Sequence, residues 1–152
     1  MAPQYTATVT GTAKSPTRLD VQIRDFSVTI DEPASLGGDD TGPNPVELVL
    51  SGLAGCLNIT THMVARERGI EVRSLSVTAT GSLNPQRLMG RPTQDRAGFQ
   101  GIRLEIDVDA DATPEEIDAL LVAAEERCCV ADNLMNATPV SVVRAGAPAS
   151  AA

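Results

Sequence analysis

Aromatic residues are nearly missing from this chain of 152 residues, which has no tryptophan and only Tyr5, Phe26 and Phe99. Three rings do not make a stacking platform for single-stranded nucleic acid. Basic residues are also few, 12 against 20 acidic, for a formal net charge of −8 and a pI near 4.5. Without clustered Lys and Arg to displace counterions, a nucleic-acid partner is not expected. The single histidine, His62, excludes a His-rich metal cluster. Met1 to Ala13 lacks the basic start and continuous apolar run of a signal peptide. The longest apolar stretch, around Leu48 to Ile59, is broken by Ser51, Gly52, Gly55 and Asn58 and reads as too short to span a bilayer, so no membrane partner is expected.

What is present suits a globular domain. The hydrophobic fraction of 42% supports a core, and the length fits one domain, read as residues 1–144 with a small-residue tail over 145–152 expected to be disordered. Three cysteines remain. An odd count without a secretory signal fits a reducing compartment, hence a cytoplasmic location. By default such cysteines are small buried hydrophobes.

Alternation of apolar and polar residues predicts N-terminal strands at Tyr5-Ala7-Val9, Leu19-Val21-Ile23 and Phe26-Val28-Ile30. Lys14 to Thr17 turns between the first two, and the phase slip at Arg24-Asp25 predicts a bulge or tight turn. A turn-rich loop covers 31–43. Asn44, Pro45 and Glu47 then form a cap, a first-position proline and a capping-box acid, predicting a buried helix that runs through Arg68 to a terminator at Gly69. Gly52 and Gly55 inside it predict close approach by another backbone. Strands follow at Leu75-Val77-Ala79 and Ile102-Leu104-Ile106-Val108, joined by a polar connection over 84–100 that reads as mobile. Thr113-Pro114-Glu115-Glu116 starts a second helix with Ile117, Leu120, Leu121, Ala124 and Cys128 on its buried stripe and Cys129 about 100° away. Pro139 to Val143 reads as a last strand.

Two motifs in this order resemble the OsmC/Ohr family of thiol peroxidases. The first is Asp31-Glu32-Pro33, Gly37-Gly38 and Thr41-Gly42-Pro43-Asn44-Pro45-Val46-Glu47-Leu48, ending in Ala54-Gly55-Cys56; the second is Cys128-Cys129-Val130-Ala131 with Leu134. The resemblance implies an α+β fold and an intertwined homodimer with active sites at the subunit interface. It also implies peroxiredoxin-like reduction of organic hydroperoxides in oxidative stress defence. Cys56 would be oxidised to a sulfenic acid, and Cys128 would resolve it as a disulfide that a dithiol or lipoylated protein reduces. No cofactor and no metal are implied.

A thiolate is needed for that attack, and a cysteine mid-helix in apolar surroundings has its pKa raised unless a cation is supplied. Cys56 lies too far from the Asn44 cap for the dipole of its own helix to help. An arginine is therefore expected to do the work. The resemblance offers Arg18 or Arg24, with Arg18 slightly preferred; a solvated strand arginine is the plain reading of either. Where hydroperoxide reductases carry the acid that orients this arginine, the chain has Val46. Glu47, one residue later, points to the opposite face of the helix from Cys56, so it reads first as a cap and second as a catalytic acid. This departure resembles the less-characterised OsmC-like branch.

Cys129 stands where proline is common and reads as a spare buried cysteine, or else as an alternative resolving thiol. His62, about 120° around the helix from Cys56, reads as a surface or interface residue rather than a base. Two other readings remain open: a dimer that binds a small lipophilic ligand in its interface pocket, and a thiolate metal site of Cys56, Cys128, Cys129 and His62, whose spacing matches no paired-ligand pattern.

Overall fold

A computed structural model describes residues 4–146; the expected tail beyond 146 lies outside the described residues. The chain runs through strands β1 (Thr10–Ala13), β2 (Leu19–Ile23) and β3 (Phe26–Ile30), a 3-10 turn (Ala34–Leu36) and helix α1 (Pro45–Arg68). Strands β4 (Val72–Ser82) and β5 (Gly101–Ala110) and helices α2 (Pro114–Glu126) and α3 (Cys129–Met135) complete it. The architecture is α+β, as expected.

β1, β2 and β3 form an antiparallel sheet in that order. Ile23 pairs with Phe26, so the phase slip is a two-residue hairpin turn in which Arg24 takes a left-handed φ of 54°. The first strand begins at Thr10 rather than Tyr5. Thr10 pairs with Gln22 near the end of β2, so residues before it run past their partner strand with nothing to bond. The expected last strand over Pro139–Val143 is likewise not formed. Among the described residues no edge receives it, and Val140, Val142 and Val143 are largely exposed, Val142 at 95%.

The loop over 31–43 is built on Asp31, whose carboxylate is buried and accepts the N–H groups of Glu32, Asp39 and Thr41 and the Thr41 hydroxyl. Burial raises its pKa, and the Thr41 hydroxyl and N–H and the Glu32 N–H outweigh that, leaving it lowered to about 2. Gly38 and Gly42 admit no side chain: a Cβ would collide with the carbonyls of Glu32 and Thr29. This loop delivers Asn44 to cap α1, with the full reciprocal capping box to Glu47, and Gly69 ends the helix at φ 69°.

α1 packs against β4, α2 and α3. Its inner face enters two clusters. Leu53, Leu57, Cys128 and Ala131 form the first, backed by Ile102, Leu104 and Ile106 of β5. Val64, Ala65 and Leu120 form the second. The apolar stretch is longer than the sequence suggested: α1 has 24 residues and an 18-residue window of mean hydropathy 1.5, long and apolar enough to cross a membrane. Its caps, and its packing on a sheet and two helices, make it the core helix of the domain. The burial is one-sided, however. Gly52 and Gly55 have open space at their Cβ positions instead of a neighbouring backbone, and Ile59 is 59% exposed.

β4 and β5 pair antiparallel with a register shift at Val72/Ser74, where Arg73 pairs with Asp109. The connection between them, read as mobile, is tied internally. Asn84 Nδ2 donates to Asp95 at 2.6 Å, and Arg87 Nε to the Asp95 carbonyl at 2.9 Å.

Candidate active site

Thr113 caps α2 through a second complete capping box, as its sequence predicts, but the helix stops at Glu126. The two cysteines that follow are therefore not on it. Cys128 is extended, at φ −78° and ψ 103°, and caps α3, in which Cys129 is the first residue. This break turns both cysteines toward α1, whereas a continuous helix would hold their side chains about 100° apart.

Cys56 Sγ lies 3.8 Å from Cys129 Sγ. Cys128 is 1% exposed and packs in the cluster that Cys56 borders, its sulfur accepting the Ala131 N–H at 3.4 Å. Cys129 is exposed, not buried as its spare-residue reading supposed. Burial pushes the Cys56 thiol up, but the Val130 N–H, the thiols of Cys128 and Cys129 and the Cys129 N–H together bring it below its ordinary value. Burial holds the Cys128 thiol above its ordinary value. Cys129 is raised first by its hydrogen bond with Cys56 and then by the charge there.

The stabilising groups are thus backbone amides and thiols at the start of α3, a contribution the sequence hid because it comes from a different helix. The arginines are engaged elsewhere in the single chain. Arg18 holds Asp20 at 3.0 Å, and Arg24 lies over the Phe26 ring at the hairpin tip. Glu47 accepts the Asn44 N–H at 2.8 Å in its cap. His62 is exposed, its Nδ1 against the Asn58 carbonyl. Among the described residues no group of three or more His, Cys, Asp or Glu is placed to hold a metal ion.

Beside the thiols an apolar cavity of about 750 Å³ opens between α1, β5, α2, α3 and the 83–100 connection. Leu53, Leu57 and Ala131 belong both to its wall and to the cluster that Cys56 borders; Val46 lines it too. On the outer side of α1, Val49, Gly52, Cys56, Ile59 and Met63 fall within an arc of about 80° at 100° per residue. Cys56 therefore interrupts a stripe whose apolar members Val49, Ile59 and Met63 stay 39%, 59% and 48% exposed.

Residues 37–143 match the family model described as OsmC-like protein. Solved structures agree in fold. An OsmC-like protein from Mycoplasma pneumoniae superposes with a TM-score of 0.72 at 24% identity, covering 89% of each chain. An organic hydroperoxide resistance protein OsmC from Legionella pneumophila gives 0.68 at 22%, covering 87% of this chain and 90% of its own. The organic hydroperoxide resistance protein OhrB of Bacillus subtilis gives 0.61 at 26%, covering 84% and 89%. No curated protein matches the chain significantly.

Proposed function

Because the chain belongs to the OsmC-like protein family, we propose that it is a thiol-dependent peroxidase for organic hydroperoxides, with Cys56 as the attacking thiol. One observation carries this reading: Cys56 is a partly exposed thiol with a lowered pKa, and a second thiol lies 3.8 Å away to receive it. A thiolate cleaves the peroxide O–O bond and becomes a sulfenic acid, and a neighbouring thiol converts that to a disulfide before further oxidation. The names of the Legionella and Bacillus proteins, which concern hydroperoxide resistance, support the substrate class. The apolar cavity suits a hydroperoxide with a hydrocarbon body. A dithiol or lipoylated protein in a reducing cytoplasm would return the disulfide to thiols.

The working form in this reading is a homodimer. The open stripe on α1 and the exposed segments at Tyr5–Val9 and Val140–Val143, which pair with no strand among the described residues, are what a second copy would cover. A partner could also bring Arg18 or Arg24 to Cys56, which the single chain does not.

Thiol counting tests the activity. Cumene or tert-butyl hydroperoxide should consume two thiols per chain, and Cys56→Ser should stop peroxide turnover. Undiminished turnover in that variant refutes the reading. The cavity favours a second reading, a catalytically inert dimer that holds a small lipophilic ligand; native mass spectrometry would then show a co-purifying ligand while Cys56 stays unreactive.

A further inference from the structure

Cys56 has two candidate sulfurs beside it, and the structure separates them. Cys129 presents its Sγ at 3.8 Å from an exposed position at the start of α3. Cys128 is sealed among Leu53, Leu57 and Ala131, with its sulfur held by the Ala131 N–H. We propose that Cys129, and not Cys128, is the disulfide partner of Cys56, and that Cys128 serves as a buried packing residue beneath the pair. The role in turnover rests on the peroxidase reading above; the pairing itself does not.

The chemistry closes on these atoms. The Cys56 thiolate attacks the distal oxygen of ROOH; an S–O bond forms, the O–O bond breaks, and RO⁻ leaves to take up a proton as ROH. The Cys129 sulfur, giving up its proton, then attacks the Cys56 sulfur. The S–S bond forms, the S–O bond breaks, and the departing hydroxide takes a proton to leave as water. Two thiols have become a disulfide and the peroxide has been reduced by two electrons. An external dithiol reverses the disulfide by exchange.

Two physical differences favour Cys129. The first is motion. Cys129 has its Sγ 3.8 Å from Cys56, to be closed to the roughly 2.0 Å of a disulfide, at an exposed residue free to turn. Cys128, also in contact with Cys56, is 1% exposed and held in a packed cluster where side-chain movement is costly. The second is timing. The hydrogen bond and charge of Cys56 are the first causes that hold the Cys129 thiol up, ahead of burial, whereas for Cys128 burial comes first and the same Cys56 contributions follow. A sulfenic acid carries no charge, so that hold lapses once Cys56 has reacted. The burial that holds Cys128 up remains.

Variants decide the pairing, because the adjacent cysteines share one proteolytic peptide. Fully reduced wild type, Cys128→Ala and Cys129→Ser are oxidised with one equivalent of cumene hydroperoxide and, in parallel, with diamide, which joins neighbouring thiols without peroxide. Disulfides are mapped by mass spectrometry and sulfenic acid is trapped with dimedone. Cys128→Ala should form the Cys56–Cys129 bond in both arms. Cys129→Ser should close a disulfide at least tenfold more slowly and accumulate dimedone-trapped Cys56. Closure at the wild-type rate in Cys129→Ser overturns the proposal, as does a folded Cys128→Ala that cannot close. If Cys128→Ala melts below the assay temperature, Cys129→Ser alone decides. Pairing under diamide with no thiol loss to hydroperoxide would uphold the pairing while refuting the peroxidase reading.

Discussion

Ile59 gives the sharpest test of the dimer. It lies on the open stripe of α1 and is 59% exposed in the single chain, so truncating it removes only a minor share of packing there. Ile59→Ala deletes three carbon groups, about 2.4 kcal/mol if all were transferred from water at ~0.8 kcal/mol each. Scaled by the 59% still open, the share available to a partner is about 1.4 kcal/mol per copy. A two-fold interface uses the same residue twice, giving about 2.8 kcal/mol. The dimer dissociation constant should therefore rise about 100-fold. Sedimentation equilibrium over a dilution series reads this directly, and melting at one high concentration confirms that the variant folds. A wild type that is monomeric at tens of micromolar, or a variant whose constant stays within threefold, refutes the reasoning.

Other expectations follow from the core and the titrating groups. Leu120→Ala, at a fully buried site between α1 and α2, should cost about 3–5 kcal/mol and lower Tm by on the order of 10 °C, measured by calorimetry. Asp31 has a folded pKa near 2 against an ordinary 3.8, so its stabilising effect is complete above about pH 4 and lost as pH falls through 2. Urea midpoints from pH 5 to 2 should show this acid limb, and Asp31→Asn should flatten it. Iodoacetamide at neutral pH should label Cys56 first and the buried Cys128 last, with Cys56 labelling persisting to lower pH than a free thiol; Cys128 labelled first would contradict the described packing.

Local signals in the sequence translated faithfully where one segment sufficed. Asn44 with Glu47, and Thr113 with Glu116, placed both helix starts to the residue because a capping box is complete within four positions. Gly69 and the Arg24-Asp25 turn were legible for the same reason. The segments Tyr5–Val9 and Pro139–Val143 form no strand among the described residues, because alternation reports that a strand could form, not that an edge exists to receive it. Cys128 was placed on α2 because helical periodicity carries no mark of the break after Glu126. The amides around Cys56 leave no mark in the sequence because residues 56 and 130 meet only through the fold. The sequence argues for a cation, and the structure supplies N–H groups and thiols from the start of α3 instead.

Gly52 and Gly55 have a consequence beyond helix propensity. They leave two notches in the outer surface of α1, on either side of the turn that brings the chain to Cys56. In a two-fold assembly such notches fix how near the two backbones can come, as a spacer of zero thickness. If this face is the seam of the proposed dimer, a methyl group at either one would hold the subunits further apart and widen a slot leading to the thiol. In that assembly, selection for the girth of a substrate would be written at positions the substrate never touches.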